Sequence, residues 1–435
     1  MLTKIQLKNF KCFKDEAEFP LRQLNLLTGI NGRGKSTLLQ ALLLMRQSIE
    51  HNEVTTQILL NGSCVKLGNF TDVRNSNISR DEPIVLKYYY GDNFGEEKFA
   101  EGFIEYFLLE NMVDDMVTEV SSIRCSNQFY KTYHFGKVDR FYKKKDSNNW
   151  FEIYESLSIN AENSESLDSC ALSMLIPHDS KTIRVGNQDF SFSLKNIVST
   201  FLKFSHIHYI SADRIGPQEF YFKSTLTNFP NVGAKGEFTV NLLYKKREFP
   251  VNEKLYLGEN ANMLSTQTEE WLNKIFEGAK FEIPKSKSNV LEPLFNTSAS
   301  KDRYKPANVG FGYHYILPIV VSGLIARAGE ILIVENPEAH LHPRAQSRLA
   351  QFLAKVSSCG VQVFIESHSD HILNALRIAV LDRIVNSEDL NILYFQQNPQ
   401  QPVVQIPVQP NGGIEEWPEG FFDQIDKDFE RLFGM

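Results

Sequence analysis

Residues 29–37 read GINGRGKST, and their types and spacing suit a cradle for phosphate. Glycines at 29, 32 and 34 let the backbone turn its N–H groups inward around anionic oxygens. Lys35 then brings a cation to the terminal phosphates, and the Ser36 hydroxyl can ligate magnesium. The stretch from Gly29 to Ser36 fits G-x-x-x-x-G-K-[ST] in full, so Gly29, Asn31, Gly32, Gly34, Lys35, Ser36 and Thr37 form the candidate set for a nucleoside triphosphate. A triphosphatase also needs a carboxylate for its magnesium shell, and ILIVENPEAHLHP (331–343) carries Glu335 where an apolar run ends. In VFIESHSD (363–370), His368 follows another short apolar run, within reach of a terminal phosphate from the carboxyl edge of a sheet.

These groups work only if strands and helices hold them at one edge. KIQLKNF alternates as a strand does, LNLLTG is a short apolar run ending at Gly29, and Leu38, Leu39, Leu42 and Leu43 give one apolar helix face from Lys35 to about Ser48. After residue 300, YILPIVVSGLIARAG reads as a helix, EILIVE as a buried strand, PRAQSRLAQFLAKVSSCG as an amphipathic helix closed by Gly360, and VQVFIES as a further strand. Alternating strands and helices imply an α/β fold with a largely parallel sheet. Between them the texture is aromatic and broken, with short runs such as IVLKYYY and GEFTVNLLYKKREF and no sustained heptads. The expected organisation is an N-terminal part of one α/β domain (1–80), a β-rich α+β insertion (81–300) and the C-terminal part of the same domain (301–435).

Composition narrows the function. A chain of 435 residues, 42% hydrophobic and 23% charged, is ordinary globular material. Its net charge of -7 argues against wholesale coating of nucleic acid; Lys143 to Lys145 and Lys245 to Arg247 could form a regional basic face, but solvated loop ends are the favoured reading of both. Five scattered cysteines without a CxxC pair fit reduced thiols and a cytoplasmic address. No stretch approaches the roughly 18 apolar residues of a membrane span, so no membrane partner is expected.

Taken together, FKCF near the start, GINGRGKST, VENPEAHLHP and ESHSDHILNALR resemble the ABC-type ATPases of the RecF, SMC and OLD group, in particular compact bacterial AAA-family ATPases ending in a WPEGFFDQ-like segment. The resemblance is specific over roughly the first 80 and last 130 residues. It implies an ABC-type head that uses ATP and Mg2+, with Gly29, Gly34, Lys35 and Ser36 as the Walker A loop, Glu335 at the Walker B aspartate and His368 as the switch histidine. It further implies a homodimer, or a higher oligomer, in which two heads sandwich ATP. NVGFG, ending 23 residues before Glu335, then stands near the signature loop, so that Asn308, Gly310 and Gly312 would meet the γ-phosphate of a partner head. NVGFG departs from the usual serine-glycine-glycine form.

A second departure concerns catalysis. Where such ATPases place a glutamate that polarises water, this chain has Asn336, whose amide orients water but accepts no proton. Either Glu338 supplies the base or turnover is slow. His340 and His342 lack the further ligands a metal site needs. Arg214, in YISADRIGPQ, is expected in an ion pair ahead of a phosphate contact. An OLD-type nuclease would add a Toprim domain, and fewer than 70 residues follow His368. The expected function is therefore a slow ATPase that senses or regulates for a separate effector, a nuclease, in Septu-like antiviral defence. The alternatives are a RecF-like repair ATPase that binds DNA directly and a nucleotide-gated scaffold with almost no turnover.

Overall fold

The computed structural model describes residues 1–52, 55–91, 102–127, 130–136, 141–146, 149–154, 170–171, 175, 180–185, 188–193, 202–226, 229–258, 262–285, 287–296, 302–398 and 401–434. The chain is mixed α/β and divides into two compact units. One comprises Met1–Leu21 and Ser36–Ser205; the other comprises Arg22–Lys35 and His206–Met435. The chain thus passes between the units inside the glycine loop. No helix among the described residues is long and apolar enough to cross a membrane.

In the first unit the strands lie in the order Cys170–Ala171, Tyr130–Gly136, Val117–Asn127, Gly102–Glu110, Ile84–Tyr90, Leu2–Lys8 and Ala17–Pro20, antiparallel except for the first pair. IVLKYYY alternates between buried and half-buried positions, as expected of a strand whose one face meets a core. The helix Lys35–His51 buries Leu38, Leu39, Leu42 and Leu43, and the buried Tyr88 hydroxyl donates to Ala41 O of that helix at 2.8 Å.

In the second unit six strands form one sheet, in the order Ile207–Ile210, Ile331–Glu335, Gln362–Glu366, Leu24–Gly29, Leu390–Phe395 and Val403–Ile406. All pairs are parallel except the last. ILIVE and LNILYF are continuous apolar runs because these strands are covered on both faces, in part by the helices Phe311–Ile325, Pro343–Ser358 and Asp370–Leu381. Register is set by buried amides. Asn25 and Asn391 face each other across neighbouring strands, with Asn391 Nδ2 donating to Asn25 Oδ1 at 3.2 Å. Gln405 Nε2 donates to Asn391 Oδ1 at 2.8 Å, and Asn25 Nδ2 donates to Arg22 O at 2.7 Å. A slip by one residue would strand these groups without partners.

Two segments from the middle of the sequence belong to this second unit. Ile207–Ile210 is the edge strand of the parallel sheet. GEFTVNLLYKKREF, read from sequence as an alternating run, contains the helix Thr239–Lys245; Val240 is buried and Leu242 and Leu243 join the core of the second unit, and this burial outweighs the β-branched and aromatic content.

Gly29 shows how tightly the sheet constrains the loop that follows. Its φ is +120°, and a Cβ there would stand 2.2 Å from Phe395 O. Gly29→Ala is therefore expected to destabilise the second unit by about 3 kcal/mol, read as a fall in the urea midpoint; an unchanged midpoint would show that the strand end is free to move.

Candidate nucleotide site

The parallel register brings the chemistry to one edge. Glu366 pairs with Leu27 on one side and with Glu335 on the other, so Gly29, Ser367 and Asn336 all leave the sheet within a residue or two of the same level. Ligands of open parallel sheets bind at such a carboxyl edge.

The glycine loop fits a polyphosphate. Gly29, Gly32 and Gly34 have φ of 120°, 74° and 103°, which only glycine adopts without strain. Nothing lies within 4 Å of a Cβ built on Gly32, the first turn of the helix Lys35–His51 carries no acid, and the helix dipole there favours an anion. Lys35 is buried, and its Nζ donates to Gly29 O at 2.9 Å and to Ile30 O at 3.0 Å, capping the loop. Burial lowers its pKa, and the nearby Glu366 carboxylate partly restores it. Thr37 is also buried; within the first unit its hydroxyl lies 3.9 Å from Cys12 Sγ, while Lys11 Nζ donates to Gln40 at 2.7 Å, so FKCF lies along this helix.

Opposite the loop, the three acids divide their work. Glu335 is half-buried and turns toward the edge strand, its Oε2 accepting from Ala212 N at 3.2 Å. Burial pushes its carboxyl above the usual range, against the Ala212 N–H, the Tyr209 hydroxyl and Arg214. Glu338 accepts from Ser367 Oγ at 2.9 Å and from His368 N at 3.0 Å, which latches the acidic loop to the histidine loop. Glu366 is buried at the end of its strand, with its charge on Lys35. Sequence reasoning passed over Glu366 and Ser367, although VFIE ends in an acid just as ILIVE does.

Asn336 has φ of 43°, in the left-handed region where asparagine is favoured over most other residues, and its N–H donates to Glu366 O at 2.8 Å. Arg214 is 2% exposed, and its guanidinium donates to Glu335 O at 3.3 Å and Asn336 O at 2.6 Å. These hydrogen bonds run to carbonyls, where a side-chain ion pair was expected. Burial lowers Arg214 to about 10, offset in part by Tyr315, Glu338 and Glu335, so it stays cationic at neutral pH.

The residues of NVGFG separate into two roles. Asn308 and Gly310 are exposed before the helix Phe311–Ile325, and nothing lies within 4 Å of a Cβ on Gly310. Gly312 is buried, and a Cβ there would press on His340 O at 3.0 Å and Leu341 at 3.1 Å, so its lack of a side chain serves packing. His342 caps the helix Pro343–Ser358, its Nδ1 accepting from Arg344 N, and His340 lies against Tyr315. Of the two basic runs, Lys245 to Arg247 closes a helix, with Arg247 over the Tyr244 ring, while the side chains of Lys143 to Lys145 lie outside the described residues.

A family model described as AAA ATPase domain matches residues 1–373. The chain belongs to that family. An AAA ATPase domain implies use of a nucleotide, ordinarily with magnesium. A second model, described as a protein of unknown function (DUF3696), matches residues 385–432. No curated protein matches the chain. Among solved structures, the SMC head bound to the C-winged helix domain of ScpA is 12% identical with a TM-score of 0.45, covering 94% of this chain and 98% of that one. The SMC head domain from Thermotoga maritima is 10% identical at 0.38, covering 94% and 99%. The Smc head domain with an extended coiled coil from Pyrococcus furiosus, bound to the C-terminal domain of ScpA, is 11% identical at 0.42, covering 99% of each chain. All three likenesses are faint.

His368 stands exposed at the mouth of the site, yet desolvation of its ring and the charge of Lys35 hold its pKa below the ordinary 6.5, with Glu338 pulling it up. Protonation therefore favours the unfolded chain. The neutral ring's contribution to stability is complete above 6.5 and is lost as the pH falls through the folded value. Glu338→Gln is expected to lower the His368 pKa further, as followed by proton NMR of the imidazole; a value that rose would show that Glu338 does not face the ring.

Proposed function

We propose that the protein binds and slowly hydrolyses ATP, dimerises through its AAA domains as ABC-type heads do, and governs a separate effector, a nuclease, in bacterial antiviral defence. The observation that carries the ATPase part is the convergence at one sheet edge of Lys35 on the glycine loop, Glu366 beside it, and His368 held by Glu338. The defence setting and the effector rest on the sequence resemblance alone.

Bound ATP with magnesium would supply the scissile phosphoanhydride and a charge-neutralising cation. Gly32 and Gly34 offer backbone donors to its phosphates, and Lys35 has only to exchange two carbonyls for phosphate oxygens. Ser36 and Glu335 are the magnesium residues by sequence pattern. Neutral His368 presents a ring nitrogen from the opposite side. Asn336 orients water without taking its proton, and both Glu338 oxygens already accept hydrogen bonds, so proton removal is the weak step and slow turnover follows. Exposed Asn308 and Gly310 precede a helix N-terminus and suit contact with a nucleotide held by a second copy.

With magnesium present, the wild-type chain should release phosphate from ATP slowly, and Lys35→Ala should reduce this on the order of a hundredfold or more. Equal phosphate release by both proteins would sink the ATPase reading. Co-purification from the native locus with a nuclease, lost in Lys35→Ala, tests the effector; recovery of the homodimer with DNA alone would favour direct DNA binding.

A further inference from the structure

The loop that follows Glu335 is held in a conformation it would not adopt by itself. Asn336 and His340, neither a glycine, have φ of 43° and 62° within five positions. Left-handed residues persist when their surroundings over-determine them. Here the surroundings are two segments far apart in sequence. Arg214, buried, donates to the carbonyls of Glu335 and Asn336 at 3.3 and 2.6 Å, and its guanidinium lies 5.0 Å from the centre of the Tyr315 ring. Tyr315 meets the His340 ring edge-on at 4.7 Å, and Phe311 lies 5.6 Å from the same ring. Phe311 in turn limits Gly216, where a Cβ would stand 2.9 Å from it. Tyr315 and Phe311 occupy the first turns of the helix that NVGFG opens.

We infer that Arg214 and Tyr315 are positioning residues that clamp the acidic loop Glu335–His340 to the helix opened by the glycine loop Asn308–Gly312, so that the carboxylates and the glycine loop move as one body. The inference rests on the ATPase reading for its catalytic consequence and on geometry alone for the clamp. Arginine is required because a planar fork reaches two carbonyls while its face lies on a ring; lysine offers one point charge. At position 315 the ring matters and the hydroxyl does not, because the contacts with Arg214 and His340 are made by the ring. In a head dimer, a nucleotide touching Asn308 and Gly310 of one copy would report through the clamp to the acids that serve the other nucleotide.

The test compares full-length wild type with Tyr315→Phe, Tyr315→Leu and Arg214→Lys. Amide exchange of a peptide spanning 336–341 reads the clamp, with the helix Asp370–Leu381 as control, and ATP turnover and binding of a non-hydrolysable ATP analogue read its consequence. Tyr315→Leu and Arg214→Lys should speed exchange at 336–341 while leaving the control helix unchanged, and should lower kcat on the order of tenfold with analogue affinity retained. Tyr315→Phe should stay within about twofold of wild type in every measure. Unchanged exchange in both Tyr315→Leu and Arg214→Lys, or Tyr315→Phe as impaired as Tyr315→Leu, would overturn the clamp. Wild type without Lys35-dependent turnover would instead overturn the ATPase reading, and the exchange data would still decide the clamp.

Discussion

The register between Leu24–Gly29 and its two neighbouring strands is the constraint on which the site depends. Hydrophobic burial cannot set it alone, because LNLLTG, LNILYF and QVFIE are apolar over most of their length and one slipped alignment would bury nearly as much as another. The buried amides of Asn25 and Asn391, with the exposed Gln405 donating to Asn391, resolve that degeneracy, since only one alignment gives each a partner. Once Asn25 faces Asn391, Phe395 lies opposite Gly29, and once Val363 pairs with Leu24, Glu366 lies opposite Leu27. Lys35 and Glu366 are brought to the same edge by polar groups buried well below it.

Burial then sets the electrostatics of that edge. Lys35 loses basicity by desolvation and recovers some of it from Glu366, so the cation that would meet phosphate has a counter-charge before any ligand arrives. A phosphate chain would take the place of the two loop carbonyls as the partner of Lys35, with Glu366 still near, so the lysine is already desolvated before binding. Glu335, pushed upward by its own burial, gains most from a divalent cation, which would restore the charged form that the protein disfavours. Partial desolvation and the charge of Lys35 shift His368 toward its neutral form at the same edge.

The parts of this arrangement legible in the sequence were those set by local pattern. A two-sided apolar run followed by a glycine loop, or by an acid, marks a strand end, and both Gly29 and Glu335 were found that way. Glu366 carried the same signal and was hidden by the histidine beside it. What was not legible depends on long-range pairing. That Ile207–Ile210 adds an edge strand beside Ile331–Glu335, which places Arg214 on the carbonyls of Glu335 and Asn336, follows from a register between segments more than a hundred residues apart. Gly312 read as a phosphate-facing glycine because its pattern resembles one; only the position of His340 O above it shows that the missing side chain leaves room for the neighbouring loop.

Asn336 shows how a chemical departure and a backbone requirement can be the same fact. Read as a replacement for glutamate, it removes a base. In the fold it also sits at φ of 43°, donates its N–H to Glu366 and accepts Arg214 at its carbonyl. A glutamate in that conformation would carry a penalty of about 1 kcal/mol or more, where asparagine is tolerated. The sharp turn it permits brings Glu338 back to Ser367 and His368. Relaxing residue 336 to an extended or helical backbone would accommodate a glutamate but carry Glu338 away from the histidine loop. The chain has therefore settled on a geometry in which the acidic loop holds the histidine in place, and the slow proton transfer proposed for it is a consequence of that choice of backbone.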